Sequence, residues 1–142
     1  MDDSQKPQIM MVEDNPADVF LIRRALNLAD IDAVLHLAEN GEQAIEYFDR
    51  MEANPAIPPL DLILLDINLP GMKGSNVIQN LRSRERSGQT RVLVVSSSDS
   101  PLDQEEMTRF GASGYFRKVS DFEEFMKLGQ AVRDLLAQKS QG

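Results

Sequence analysis

Five short strand-like runs alternate with five segments of helical spacing, and this alternation constrains the fold more than any other feature of the chain. The runs occupy residues 8–13, 33–38, 60–66, 91–96 and 114–118. The central one, Leu60-Asp61-Leu62-Ile63-Leu64-Leu65-Asp66, is almost continuously apolar. Continuity of this kind marks a strand covered on both faces rather than one half-exposed to water. Strand–helix alternation then predicts a parallel sheet with helices on both sides. With no internal repeat and 142 residues, one domain is expected over residues 8–138, between a polar tail at 1–7 and a short tail at 139–142.

The helical segments carry their own boundary signals. Asn15 is placed to cap a helix that opens at Pro16, continues through Phe20, Leu21, Ala25 and Leu28, and ends near residue 29. A second helix over 41–51 puts Ala44, Ile45 and Phe48 on one face, and three prolines in 52–59 enforce a loop. Further helices are predicted at 75–87, at 100–110 with Ser100 as cap, and after Asp121 to residue 138. In the last of these, Phe122, Phe125, Met126, Gly129, Val132 and Leu136 form the expected core stripe. Leu128 and Leu135 fall beside that stripe; they are expected to stay exposed and to contribute to a homodimer contact, with burial at the stripe's edge as the alternative.

Composition excludes several classes of function. A net charge of −8, without a basic stripe on any helix, argues against direct nucleic-acid binding. The absence of cysteine rules out disulfides and thiol chemistry and fits a reducing compartment. No apolar run approaches the roughly 20 residues that span a bilayer, and the first residues lack the basic and apolar regions of a signal peptide. A cytoplasmic protein that does not enter the membrane is expected.

The polar residues at the strand ends carry the chemistry. In a parallel sheet ligands bind beyond the carboxyl ends of the strands, and there stand Glu13-Asp14, Asp66, Ser96-Ser97 and Lys118. Three carboxylates brought together repel one another, and a hard cation such as Mg2+ relieves that repulsion. Asp66 is then placed to accept a phosphoryl group as an acyl phosphate, with Lys118 and Ser96 pairing the phosphoryl oxygens and small Ser97 leaving room. Each residue also has a plainer reading. Glu13 and Asp14 suit a helix N-terminus, Asp66 suits a turn, Lys118 suits a surface and Ser96 a capping loop. Their joint occurrence at successive strand ends favours the site. His36, the only histidine, lies in a strand away from these ends and reads as packed or partly exposed rather than catalytic or metal-binding.

Taken together, Val12-Glu13-Asp14-Asn15, Leu64-Leu65-Asp66-Ile67-Asn68-Leu69-Pro70-Gly71-Met72-Lys73-Gly74, Ser96-Ser97 and Gly111-Ala112-Ser113-Gly114-Tyr115-Phe116-Arg117-Lys118 resemble the response-regulator receiver domain of two-component signalling. The likeness covers about residues 8–138. It implies a flavodoxin-like, doubly wound (βα)5 fold with strand order 2-1-3-4-5. By matching position it implies Asp66 as phosphoacceptor and Asp14, Asp66 and the backbone carbonyl of Asn68 as Mg2+ ligands, with Glu13 acting through water. It also implies Ser96 as the hydroxyl and Tyr115 as the aromatic of a switch, and Lys118 as the phosphate-pairing lysine. The surface of the fourth helix, fifth strand and fifth helix would respond. A sensor histidine kinase is the implied donor. The motif Glu13-Asp14-Asn15-Pro16-Ala17-Asp18, the proline-rich loop and Asn68-Leu69-Pro70-Gly71 resemble stand-alone receivers that partner phytochromes. With nothing after residue 138 to form an output module, the signal is expected to leave through an unknown downstream protein or phosphotransfer partner.

One departure stands out: receivers usually follow the lysine with a cis-proline, and here Val119 follows Lys118. A peptide before a non-proline residue strongly prefers trans, which puts the aim of Lys118 in question. A receiver that binds partners without phosphorylation therefore stays open as an alternative. An aspartyl-phosphate phosphohydrolase is a weaker one, because Asn68 stands where its general acid is needed. A flavin module is weaker still, because its phosphate loop would here be Glu13-Asp14-Asn15-Pro16-Ala17-Asp18.

Overall fold

The central strands are apolar along their whole length because helices seal both of their faces. The structure, a computed structural model, describes residues 6–141; residues 1–5 of the expected N-terminal tail lie outside them. The elements run β1 (Gln8–Val12), α1 (Pro16–Leu28), β2 (Val34–Ala38), α2 (Gly41–Ala53), β3 (Leu62–Leu65), α3 (Gly74–Arg82), β4 (Arg91–Ser96), α4 (Pro101–Arg109), β5 (Gly114–Arg117), α5 (Phe122–Met126) and α6 (Leu128–Gln141). All strand pairs are parallel, in the order β2-β1-β3-β4-β5. This is the flavodoxin-like arrangement expected, with the fifth helical segment divided in two. Among the described residues no helix is long and apolar enough to cross a membrane.

Alternate residues of each strand feed two cores. Met10, Val12, Ile63, Leu65, Val92 and Val94 point to the side of Ala44 and Phe48 of α2, Val77, Ile78 and Leu81 of α3, and Met107 of α4. Ile9, Met11, Leu62, Leu64, Leu93 and Val95 pack against Ile22, Ala25 and Leu26 of α1 and against Phe125, Leu128, Val132 and Leu135. The predicted caps form: the side chains of Asn15, Ser100 and Asp121 accept from the amides of Ala17, Asp103 and Glu124.

Two expectations fail for identifiable reasons. The helix predicted at 75–87 ends at Arg82. Tertiary hydrogen bonds hold the following residues in a loop instead. The Arg82 guanidinium donates to the carbonyls of Gly88, Thr90 and Gly111, and the Ser87 amide and hydroxyl both reach Glu52 Oε1, at 2.8 and 2.7 Å. The last helix is interrupted at Lys127, yet one helical period runs through it, and its buried stripe, Phe125, Leu128, Val132 and Leu135, is centred beside the expected one. Leu128 and Leu135 are buried, 0% and 8% exposed, while Phe122 of the expected core stripe is 48% exposed. The homodimer contact assigned to Leu128 and Leu135 therefore has no exposed side chains to make it. The tail expected from residue 139 continues the helix as far as Gln141.

α6 lies close on α1. A Cβ built at Gly129 would meet the Ala25 carbonyl oxygen at 2.6 Å and Ala29 Cβ at 2.7 Å, so only glycine fits this crossing. Gly129→Ala is expected to lower stability to urea by about 2 kcal/mol through forced separation of the helices, whereas the same change at an exposed helical site stabilises. An unchanged urea midpoint would count against this packing.

His36 is packed as expected. Its Nε2 lies 2.7 Å from Gln8 Oε1 and its ring is tilted against Tyr47 at 5.1 Å, with the Arg50 guanidinium over that tyrosine. Burial holds its pKa below 6.5. The unfolded chain therefore takes up a proton first as pH falls, and stability drops from about pH 6.5 downward until the folded imidazole also titrates. Urea midpoints compared at about pH 7 and about pH 5.5 should fall more for this chain than for His36→Gln.

Candidate functional site: an acidic pocket at the strand ends

The register of the sheet builds the site. Val12 is level with both Ala38 and Leu65, so the residues that follow, Glu13 and Asp66, emerge side by side where the strand order reverses. Backbone bonds extend the ladder one step beyond the strands: the Glu13 amide donates to the Ala38 carbonyl, Asp66 to Val12 and Lys118 to Ser96. The three functional side chains thus leave from hydrogen-bonded backbone rather than from free loops.

The Glu13, Asp14 and Asp66 carboxylates each offer an oxygen within 4.8 Å of the other two, with Glu13 and Asp66 buried and Asp14 exposed. Lys118 reaches into this group from the end of β5. Its Nζ lies 2.8 Å from Glu13 Oε2, 2.8 Å from Asp18 Oδ2 and 3.3 Å from Asp66 Oδ2. No cis peptide occurs among the described residues, so Lys118 reaches these carboxylates with a trans bond to Val119. Asp66 also serves the turn, since its Oδ1 accepts the Asn68 amide at 3.0 Å. The plainer reading of Asp66 is therefore true as well, and the Oδ2 atom is the one presented to Lys118.

Electrostatics follow from burial and proximity. Burial pushes the Glu13 carboxyl above its ordinary value, and the Asp66 charge adds to this against the pull of Lys118 and the Asn15 amide. Burial alone would lower the Lys118 ammonium's pKa, but hydrogen bonds to Asp18 and Glu13 and the charges of Asp66 and Glu13 outweigh it and raise it. The ammonium is a fixed positive charge.

The other predicted residues are placed as follows. Asn68 lines the 480 Å³ cavity in front of the carboxylates, together with Asp18, Ser97, Val119 and Phe122. Ser96 does not line it. Ser96 is 0% exposed and its Oγ accepts the Ser98 amide at 3.2 Å, so its neighbour Ser97 faces the opening. The Tyr115 hydroxyl donates to the Ser98 carbonyl at 3.0 Å. The expected hydroxyl and aromatic of the switch thus meet at one loop residue, Ser98, which sequence reasoning did not single out. Asp18 is likewise visible in the sequence only as part of a motif; its place in the first turn of a helix capped by Asn15 and preceded by Asp14 is the available signal.

The donor set suits a hard divalent cation, being all oxygen with one exposed carboxylate beside two buried ones. In this structure Lys118 balances part of that charge. Lys118→Met is expected to lower the stability of the metal-free protein by about 3 kcal/mol, by leaving buried carboxylates unpaired. Added Mg2+ should then stabilise the variant more than the parent chain; equal urea midpoints in all four conditions would contradict this role.

Comparison with known proteins agrees with the geometry. Residues 9–130 match the response regulator receiver domain family. The nitrate/nitrite response regulator protein NarL of Escherichia coli K12 is 32% identical over 127 residues, covering 89% of this chain and 55% of NarL. The chain thus spans only about half the length of that relative. The response regulator Rcp1 of Synechocystis is 26% identical over 92% of this chain and 90% of its own length. Its Mn2+-bound structure superposes with a TM-score of 0.78 at 25% identity, over 90% of this chain and 92% of that one. The phosphorylated cyanobacterial phytochrome response regulator RcpA gives 0.80 at 27% identity, over 94% and 96% of the two chains. With this fold, this acidic pocket and a family match over most of its length, the chain belongs to the response regulator receiver domains.

Proposed function

We propose that the chain is a phosphorylation switch in which Asp66 accepts a phosphoryl group from a phosphohistidine of a sensor histidine kinase. The observation that carries this reading is the convergence of Lys118 Nζ on Asp66 Oδ2, at 3.3 Å, beside the Glu13–Asp14–Asp66 oxygen cluster. An Asp66 carboxylate oxygen forms the new O–P bond as the P–N bond of the donor imidazole breaks. The bonding pair stays on the imidazole nitrogen, which is reprotonated from water. Bound Mg2+ supplies charge neutralisation for the transferring group; Glu13, Asp14, Asp66 and the Asn68 carbonyl would hold it. Lys118 pairs a phosphoryl oxygen, and water that later attacks the acyl phosphate gives slow self-dephosphorylation.

The readout follows from the loop contacts. For the Ser96 hydroxyl to reach a phosphoryl oxygen it must leave the Ser98 amide, and the Ser98 carbonyl is what Tyr115 grips. Moving one releases the other, shifting the population of the α4–β5–α5 surface. The likeness to RcpA and Rcp1 over nearly their whole lengths supports a phytochrome-type kinase as donor. Incubation with Mg2+ and a small acyl phosphate should give a single phosphoryl adduct by intact mass, absent in Asp66→Asn and without Mg2+. A folded, Mg2+-binding protein that takes no adduct would refute phosphoryl acceptance and leave a phosphorylation-independent binding module.

A further inference from the structure

Two sets of carboxylates overlap in the pocket without coinciding. The oxygens near enough to share a cation belong to Glu13, Asp14 and Asp66; the partners of Lys118 are Glu13, Asp18 and Asp66. Asp14 belongs to the first set alone and Asp18 to the second alone. An ammonium has three N–H donors, and here all three are used. Two of those bonds go to carboxylates that a divalent cation would also claim. The bond to Asp18 is the one that such a cation leaves undisturbed.

We propose that Asp18 is a positioning residue that holds Lys118 beside Asp66 while Glu13 and Asp66 are engaged by a divalent cation. Its placement suits that role. Asp18 lies in the first turn of α1, fixed by the Asn15 cap and by Pro16, and its side chain is only 22% exposed. It approaches the ammonium from the helix layer rather than from the strand ends that supply the other oxygens. The tether also explains how Lys118 is aimed while Val119 follows it through a trans bond. Without Asp18, the ammonium has only Glu13 and Asp66 to rest on and competes with the cation for them. The last part of the inference, that a well-held Lys118 speeds phosphoryl acceptance, rests on the function proposed above; the part concerning cation binding does not.

Calorimetric titration with MgCl2 separates this role from a simple loss of charge. In the parent chain Asp18→Asn should raise the Mg2+ dissociation constant about fivefold, and in a Lys118→Met background it should raise it about twofold or less. Lys118→Gln provides a second background if the methionine variant does not fold. Asp18→Glu should restore most of the affinity. At saturating Mg2+, Asp18→Asn should also slow labelling by a small acyl phosphate about tenfold, again with recovery in Asp18→Glu. An equal change in Mg2+ affinity in both backgrounds, or none in the parent, would overturn the proposal. If the parent chain takes no phosphoryl group at Asp66, the phosphoacceptor reading falls and the calorimetric cycle still decides the role of Asp18.

Discussion

Four carboxylates meet at the carboxyl ends of β1 and β3 and on the first turn of α1, and Lys118 is the cation that lets them share that space. Two of them, Glu13 and Asp66, are buried, where an unpaired charge is expensive. Lys118 bonds to both and to Asp18, so one side chain from the far edge of the sheet ties together β1, β3, β5 and α1. The rest of the architecture serves to bring these groups together: the parallel register, the reversal of strand order beside β1, and the sealing of both sheet faces.

In the switch proposed above, that arrangement is what an added phosphoryl charge would act on. Four carboxylates around one ammonium leave an excess of negative charge in the crevice, and such a partly compensated set is sensitive to any new charge. In the neighbouring loop Ser96 and Tyr115 both hold on to Ser98, one at its amide and the other at its carbonyl. The Ser98 hydroxyl in turn donates to Asp103 at the start of α4. Ser96 is thus linked to the first turn of α4 through two hydrogen bonds that share Ser98, with Tyr115 joined to the same residue by a third.

Much of this was legible in the chain. Continuous apolar runs at 8–13, 60–66 and 91–96 announced buried parallel strands, and Asn15, Ser100 and Asp121 announced the caps that form. Glu13, Asp14, Asp66 and Lys118 were identifiable because their positions at strand ends made plainer explanations implausible as a set. Where local reasoning failed at the third helix, a tertiary contact had displaced a local preference. The helix after Gly74 stops at Arg82 because the guanidinium and Glu52 capture the following backbone. In the last helix the buried stripe runs through Phe125, Leu128, Val132 and Leu135, one row away from the expected one, which leaves Phe122 exposed.

The sequence by itself determined the alternation of strands and helices, the caps and the chemical types gathered at the strand ends, since periodicity and residue type are local properties. Which atoms meet was settled only by the folded chain. The aim of Lys118 past Val119, its third partner Asp18, the inward turn of Ser96 and the close crossing at Gly129 all depend on distances between elements far apart in sequence. Such distances follow from the packing of helices on a twisted sheet, and no short stretch of sequence encodes them.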